Sequence, residues 1–266
     1  MSPRPPPQKM FGIKRIALGL KSLALGPKNQ RLRVLNELSR LIVSLLSSNY
    51  VGDNYKMWLL DSEFRKMFRK LSPHNFFSEE RKYTLKEITK SLKNIDGNIA
   101  ECGCYVGASA WFIANELPNT DFYLFDSFEG LSEPNKYDQS KPGVHQWKKG
   151  DFDVPEELLR KNLSCFRNIH IKKGWIPERF NEVEDKKFRL VHIDVDLYQP
   201  TFDSLSFFYE RMTPGGIIVM DDYGFLNCPG AFKAANDFIY NKPEQIIQLS
   251  TGQGIIIRHC DAIIST

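Results

Sequence analysis

The chain has 266 residues, of which 42% are hydrophobic and 26% are charged, a composition that suits one large domain with a sizeable core. The formal net charge is only +4, and much of the basic excess lies before residue 50, so the charge does not indicate nucleic-acid binding. The five cysteines are scattered without zinc-ligand spacing, which favours reduced thiols in a cytoplasmic protein. No run reaches the roughly 18 apolar residues that a membrane-spanning helix needs.

The first 55 residues are predicted to be a tail followed by a helical segment. Residues 1–8 are rich in proline, and residues 31–48 carry leucines at helical spacing. We expect this helical segment to act as a lid or as the contact of a homodimer. A basic amphipathic stretch at residues 11–25 leaves contact with a membrane surface as an alternative. Residues 56–266 are predicted to form the main domain.

Two helices are predicted at residues 56–70 and 79–92. From residue 98 onward, short apolar runs alternate with helical stretches. This alternation predicts an α/β fold in which a parallel sheet carries helices on both faces. The last two strands are separated by only four residues, too few for a crossover helix, so they should form an antiparallel hairpin. The predicted strands are 98–102, 121–126, 169–172, 190–194, 216–220, 245–249 and 254–258, and the helices between them are 109–116, 155–165, 201–211 and 231–240.

A polar segment without periodicity lies at residues 132–150. It contains two prolines and Gly143, and a structureless loop of this length is often a lid or a binding loop. Tyr137, His145 and Trp147 give it side chains suited to contact a substrate. We therefore expect this loop and the N-terminal helices to close over a site and exclude water.

The first predicted strand leads into a glycine turn, Glu101-Cys102-Gly103-Cys104-Tyr105-Val106-Gly107. Glycines allow positive φ and close approach of a ligand, and such turns lie at the carboxyl ends of strands, where ligands bind. The spacing is not the Gly-x-Gly-x-x-Gly of dinucleotide sites, and the turn has no lysine or arginine for phosphate. The Glu101 carboxylate would favour a cation, such as the amino and sulfonium groups of S-adenosylmethionine.

Asp126 ends the second predicted strand, 25 residues after Glu101. A carboxylate at this position can accept hydrogen bonds from both hydroxyls of a ribose. Asp126 therefore supports a ligand that contains adenosine, although both NAD and S-adenosylmethionine meet this requirement.

Four aspartates end or follow the fourth and fifth predicted strands: Asp194, Asp196, Asp221 and Asp222. These strands should be neighbours, so the carboxylates should converge at one edge of the sheet, where uncompensated crowding is costly. Oxygen ligands favour a hard divalent cation, Mg²⁺ first, with Ca²⁺ and Mn²⁺ as alternatives. His192 lies inside the apolar strand and is interpreted as a hydrogen-bonded core histidine.

Together these motifs resemble the macrocin O-methyltransferase family, enzymes that use Mg²⁺ and S-adenosylmethionine to methylate sugar hydroxyls. The resemblance implies a Rossmann-like class I methyltransferase fold, with a seven-stranded, mainly parallel sheet ending in the antiparallel hairpin. The chain departs from the family at Tyr105 and Ala108, where a tryptophan and a second glycine are usual, and its extra N-terminal helices have no counterpart. The segments that carry the resemblance are 101–107, 126–130, 174–175, 192–198, 214–216 and 221–224.

By position, the resemblance also implies roles for individual residues. Mg²⁺ would be held by Asp194, Asp221 and Asp222, and Asp196 would be the general base. The acceptor would be a hydroxyl of a small molecule or a glycan. Cofactor contacts would come from Glu101, Gly103, Gly107, Asp126, Ser127, Phe128, Asp153 and Trp175.

The mechanistic hypothesis is direct in-line transfer of a methyl group from the sulfonium to a hydroxyl oxygen, with two vicinal oxygens of a sugar on the metal. Asp196 lies two residues beyond Asp194, so it is expected on the same face of an extended strand, where it would take the proton.

Three other functions stay open at this point. Asp194-Val195-Asp196 is also the Asp-x-Asp with which a glycosyltransferase holds a metal and a nucleotide sugar. The glycine turn leaves an NAD-dependent oxidoreductase as a weaker alternative, because its spacing is wrong. A cofactor-binding scaffold without catalysis is the third alternative. The sequence does not identify the acceptor.

Overall fold

The computed structural model describes residues 56–72 and 79–260, together with a few isolated positions before residue 43. The chain divides into two units, Met1–Lys56 and Met57–Thr266. Most of the predicted helix at residues 31–48 lies outside the described residues, so its role as a lid or dimer contact stays a prediction. Within the described part of the chain, no helix is long and apolar enough to cross a membrane.

The second unit alternates helices and strands, as the sequence predicts. A 3₁₀ turn at Met57–Leu59 comes first, and a second one at Phe180–Val183 lies between β3 and β4. The helices are α1 (Ser62–Leu71), α2 (Glu79–Ser91), α3 (Ala108–Glu116), α4 (Glu156–Asn162), α5 (Tyr198–Tyr209) and α6 (Pro229–Ile239). The strands are β1 (Asn98–Cys102), β2 (Phe122–Asp126), β3 (Ile169–Lys173), β4 (Phe188–Ile193), β5 (Met212–Met220), β6 (Ile247–Gln248) and β7 (Gly254–Ile257).

The seven strands form one sheet in the order β3-β2-β1-β4-β5-β7-β6. The pairings are parallel from β3 to β5, whereas β7 runs antiparallel to both β5 and β6. The predicted class I sheet with its C-terminal antiparallel hairpin is therefore confirmed. Because the strand order reverses between β1 and β4, the crevice at their carboxyl ends is where this kind of sheet binds ligands.

Alternate residues of the strands face two separate hydrophobic cores. In β5, Ile218 and Met220 pack with buried residues of α5 and α6, while Ile217 and Val219 pack with those of α2, α3 and α4. Side chains of a strand point alternately to opposite faces, so both faces of the sheet are covered. The prediction of helices on both faces is confirmed.

Several predicted helix boundaries differ from the structure by a few residues, and two of the differences have a clear local reason. The helix predicted at residues 56–70 is interrupted at Asp61, whose side chain accepts the N–H of Phe64 (2.8 Å) and caps a new helix. The helix predicted from Thr201 begins at Tyr198 instead. Pro200 is tolerated there because the first turn of a helix leaves its N–H groups unpaired in any case.

Candidate active site

A cavity of about 790 Å³ opens at the carboxyl ends of the central strands. Gly103, Asp126, Asp194 and Asp222 end or follow β1, β2, β4 and β5, and all four line the cavity. Ligand-binding clefts commonly have volumes of about 300–1,000 Å³. The cavity therefore lies where the topology predicts a ligand and has a suitable size for one.

Unusual backbone conformations concentrate around this cavity. In the described part of the chain, the non-glycine residues with positive φ are Tyr105 (46°), Phe128 (58°), Phe152 (68°) and Asp196 (57°). Tyr105, Phe152 and Asp196 line the cavity. L-residues rarely adopt this conformation, and where they do, the cost is commonly retained at functional sites.

One half of the cavity is built by the glycine turn after β1. Gly103 has a φ of 80°, and a Cβ on it would lie 1.9 Å from the carbonyl oxygen of Asp194, so only glycine fits. Gly107 (φ 83°) precedes α3 and makes room for Leu159, 2.6 Å from where its Cβ would be, and it does not line the cavity. The first glycine shapes the cavity, and the second serves helix packing.

Asp126 is fixed by backbone groups at the edge of the same half. Its Oδ2 accepts the N–H groups of Cys104 (2.7 Å) and Tyr105 (3.0 Å), and its Oδ1 accepts that of Phe128 (2.7 Å). A carboxylate has about four lone-pair sites, so these three N–H groups leave one site, on Oδ1, for a hydroxyl of a ribose.

The other predicted cofactor residues divide between the wall and the layer behind it. Ser127 and Trp175 line the cavity with Gly103 and Asp126. The remaining four, Glu101, Gly107, Phe128 and Asp153, do not line it. Cofactor contacts by any of these residues stay a prediction.

Glu101 lies behind the cavity wall, within the sheet. Its Oε1 is 2.7 Å from Nδ1 of His192, its cross-strand neighbour on β4, while Oε2 is buried without a hydrogen-bond partner. Nε2 of His192 is 3.4 Å from Oδ1 of Asp221. Burial alone would lower the pKa of His192, but the hydrogen bonds to Asp221 and Glu101 raise it to about 9. His192 is thus the hydrogen-bonded core histidine that the sequence indicates.

The four aspartates form the second half of the site, in two adjoining groups. Ligand atoms of His192, Asp194 and Asp221 lie within 4.8 Å of one another, and so do those of Asp196, Asp222 and Cys228. Asp194, Asp196 and Asp222 line the cavity, whereas Asp221 is fully buried just behind them. The predicted convergence of carboxylates at one edge of the sheet is therefore present.

Two basic residues of α2, which the sequence analysis missed, compensate the first group. Lys82 Nζ lies 3.1 Å from Oδ2 of Asp194 and 3.6 Å from Oδ2 of Asp221, and Arg81 also pairs with Asp221. Burial alone would raise the pKa of Asp221, but the charges of Lys82 and Arg81 hold it well below its usual range. Asp221 is therefore a stably ionised carboxylate.

The second group is compensated less, because the charge of Arg81 lowers the pKa of both Asp196 and Asp222 but is among the smaller influences on each. The backbone N–H of Asp196 donates to Oδ2 of Asp222 (2.9 Å), and the Cys228 thiol donates to Oδ1 of Asp196 (3.3 Å). Burial and the neighbouring Asp194 charge raise the pKa of Asp196 to about 7, and burial and Asp196 raise that of Asp222. These two carboxylates therefore crowd each other, and among the described residues the ion pairs of Arg81 and Lys82 are made with Asp194 and Asp221 instead.

Asp196 reaches the cavity by a turn, so the expectation of an extended strand was wrong. β4 ends at Ile193, and Asp196 has a φ of 57°. The Leu197 N–H donates to the Val195 carbonyl (2.6 Å), which closes a tight turn around Asp196. The side chain is therefore aimed by the turn and by Asp222.

The loop at residues 132–150 forms a further wall and has neither helix nor strand, as predicted. Asp138 anchors it: this buried carboxylate accepts the N–H of Asn135 (2.7 Å) and the first N–H of α5, from Tyr198 (2.7 Å). Trp147 lines the cavity and packs on Phe152 (5.1 Å between ring centroids). The loop is thus docked against the start of α5, at the carboxyl ends of the strands.

Solved structures with the same fold include two methyltransferases. The O-methyltransferase NovP is matched with a TM-score of 0.62 and 16% identity, over 76% of this chain and 100% of that one. CalS11, a calicheamicin methyltransferase, is matched with a TM-score of 0.57 and 18% identity, over 78% of this chain and 95% of that one. At these identities the likeness shows the fold.

Curated relatives and a family profile identify the family. The chain is 22% identical over 198 residues to a demethyldecarbamoylnovobiocin O-methyltransferase of Streptomyces niveus, covering 67% of this chain and 74% of that protein. It is 24% identical over 182 residues to a mycinamicin III 3''-O-methyltransferase of Micromonospora griseorubida, covering 62% and 70%. Residues 45–247 match the family described as macrocin-O-methyltransferase (TylF), which is well over half of the chain. The chain therefore belongs to the macrocin O-methyltransferase family.

Proposed function

We propose that the protein transfers a methyl group from S-adenosylmethionine to a hydroxyl of a sugar or of a glycosylated substrate. The observation that carries this proposal is the single cavity that joins the Gly103–Asp126 half to the Asp194–Asp196–Asp222 half. The first half suits a nucleoside, and the second suits the deprotonation of a hydroxyl. The acceptor class is supported by a relative from Streptomyces olivaceus, 25% identical over 182 residues, whose name, 8-demethyl-8-(2,3-dimethoxy-alpha-L-rhamnosyl)-tetracenomycin-C 4'-O-methyltransferase, describes O-methylation of a compound that carries a rhamnosyl group.

We further propose Mg²⁺ as the metal, held by Asp194, Asp221 and Asp222. The donor set is made of carboxylate oxygens, which hard cations prefer. The crowding of Asp196 and Asp222, which the charge of Arg81 offsets only in part, supports the same proposal, because a divalent cation beside the pair would relieve the repulsion. Asp194 and Asp222 already line the cavity, so a cation could enter from it.

The chemistry of the site follows from its residues. When bound, S-adenosylmethionine supplies the electrophilic methyl group, and Mg²⁺ polarises the hydroxyls of the acceptor. Asp126 holds the ribose, and Asp196 takes the proton of the reacting hydroxyl as the oxygen–carbon bond forms and the sulfur–carbon bond breaks. Cys228 occupies Oδ1 of Asp196, so Oδ2 is assigned as the proton acceptor.

The first test is calorimetric titration of the full-length protein with S-adenosylhomocysteine, with and without Mg²⁺. Saturable binding is expected, followed by transfer of a labelled methyl group to a member of a panel of sugar diols. Absence of binding in both conditions would refute the proposed function and would direct the next titration to nucleotide sugars.

Asp196→Asn tests the assignment of the base. The variant is expected to lose turnover and keep its affinity for S-adenosylhomocysteine, because the amide cannot accept the proton. Asp185→Asn is the matched control, since Asp185 is exposed and pairs only with Lys186 on the surface (2.9 Å). Turnover of Asp196→Asn close to the wild-type rate would exclude Asp196 as the base and leave the methyl-transfer proposal standing.

A further inference from the structure

Helix α2 places an amino group where the proposed function places a metal. Lys82 is only 8% exposed, which is rare for a lysine unless its charge is paired. Its ammonium lies 3.1 Å from Asp194 and 3.6 Å from Asp221, which are two of the three proposed ligands of Mg²⁺. The side chain also lines the cavity, so it has space into which to move.

Arg81, the neighbouring cation, is held more firmly than Lys82. Its guanidinium pairs with the fully buried Asp221 and also lies over the ring of Phe225, 4.8 Å from the centroid. Lys82 instead carries a compact charge on a flexible stem, and its nearer partner, Asp194, keeps 27% of its side chain exposed. Of the two cations, Lys82 is therefore the one that an incoming ion can displace.

We propose that Lys82 is the resident counter-ion of the metal-free site, and that a divalent cation binds by displacing its ammonium from Asp194. The proposal rests on the proposed function, because it takes Asp194 and Asp221 as metal ligands. Its consequence is that Lys82 weakens metal binding: the ion must separate an existing ion pair and then lie beside a positive charge. Binding of the metal at Asp194 is thus coupled to the position of the Lys82 side chain.

The test measures binding of Mn²⁺, a paramagnetic substitute for Mg²⁺, to the metal-stripped full-length protein by the electron paramagnetic resonance signal of the free ion. Lys82→Met is expected to bind Mn²⁺ at least tenfold more tightly than the wild type, a change of about 1.4 kcal/mol. Lys82→Arg, which keeps the charge, should stay within about threefold of the wild type. Lys90→Met is the matched control, because Lys90 lies on the same helix but pairs with Glu87 at the surface (3.1 Å), and its affinity should not change. Equal or weaker binding by Lys82→Met would overturn the proposal.

A second measurement uses the wild type alone, so it does not depend on the folding of a variant. Reductive methylation with formaldehyde, read by mass spectrometry, is expected to label Lys82 at least threefold faster at saturating Mg²⁺ than in EDTA. Lys90 serves as the internal reference and should be labelled equally in both. A labelling rate of Lys82 that Mg²⁺ leaves unchanged or lowers would refute displacement.

The outcomes separate this proposal from the proposed function. If the wild type binds Mn²⁺ and neither Lys82 readout responds, only the displacement proposal fails. If the wild type binds no Mn²⁺, the assignment of the metal fails and the displacement proposal fails with it. Binding of S-adenosylhomocysteine and methyl transfer in EDTA are measured separately, so they test the methyltransferase reaction independently of both.

Discussion

Replacing His192 by glutamine is expected to remove a pH-dependent part of the protein's stability. His192 is fully buried between Glu101 (2.7 Å) and Asp221 (3.4 Å). It therefore connects β1 to the aspartate that directly follows β5. Glutamine can replace one of these hydrogen bonds but cannot carry the charge. His170→Gln is the matched control, because His170 is exposed on β3, where it pairs with Asp121 at the surface (2.9 Å) and stacks on Tyr123 (4.9 Å between ring centroids).

The size of the effect follows from the pKa of His192. Folding raises it from 6.5 to about 9, and each pKa unit is worth about 1.4 kcal/mol, so the rise corresponds to about 3 kcal/mol. Below pH 6.5 the ring is protonated in both the folded and unfolded states, and the full contribution is present. As the pH rises through about 9 the folded protein also loses the proton, and the contribution disappears.

The assay is urea denaturation in EDTA at intervals from pH 6 to pH 9.5, for the wild type and both variants. The gap in free energy of unfolding between the wild type and His192→Gln should be widest near pH 6 and shrink by about 3 kcal/mol toward pH 9.5. Other groups that titrate in this window, such as Asp196, contribute to both proteins and cancel in the difference. A gap that does not change with pH would refute a charged His192, and a pH-dependent gap for His170→Gln would implicate the surface instead.

Three further changes test the cavity and the thiols. Gly103→Ala should abolish detectable binding of S-adenosylhomocysteine, since the added methyl would lie 1.9 Å from the Asp194 carbonyl oxygen, and calorimetric binding within threefold of the wild type would contradict this. Trp147→Ala should raise the acceptor KM at least tenfold and leave affinity for S-adenosylhomocysteine intact, because Trp147 lines the cavity together with Asp196 and Cys228; a loss confined to S-adenosylhomocysteine would place Trp147 on the cofactor instead. A thiol titration of the native protein should modify only the exposed Cys165 and Cys260, and reaction of a third thiol before unfolding would disprove the described burial.

The architecture could be predicted because each element has a local signal. The apolar run at Asn98–Cys102 was placed at its observed bounds, and the short link before Gly254 required the antiparallel pair. The convergence of Asp194 and Asp222 was also predictable, since parallel neighbours end at the same edge of a sheet. These inferences needed only periodicity, chain order and the rules of sheet topology.

The contacts that tune the site could not be predicted, because they depend on register and on residues distant in sequence. Lys82 meets Asp194 across 112 positions of the chain, and no local pattern of α2 distinguishes it from a solvated lysine. Glu101 contacts His192 because the register between β1 and β4 places these two residues side by side. The Glu101 carboxylate therefore lies behind the cavity wall. The turn that orients Asp196 likewise depends on a hydrogen bond from its own N–H to Asp222, which follows β5.

The anchoring of Asp138 has a consequence for how the acceptor range of this enzyme can diverge. The same carboxylate receives the first N–H of α5, which directly follows the Asp196 turn, and a Cβ on Gly230 would lie 1.8 Å from its Oδ1. Contacts at Asp138 thus hold three segments together: the loop at residues 132–150, the Asp196 turn at the start of α5, and α6 at Gly230. We therefore expect that an exchange of residues 139–149 between relatives would leave the Asp196 turn in place, whereas an exchange that also replaces Asp138 would disturb that turn.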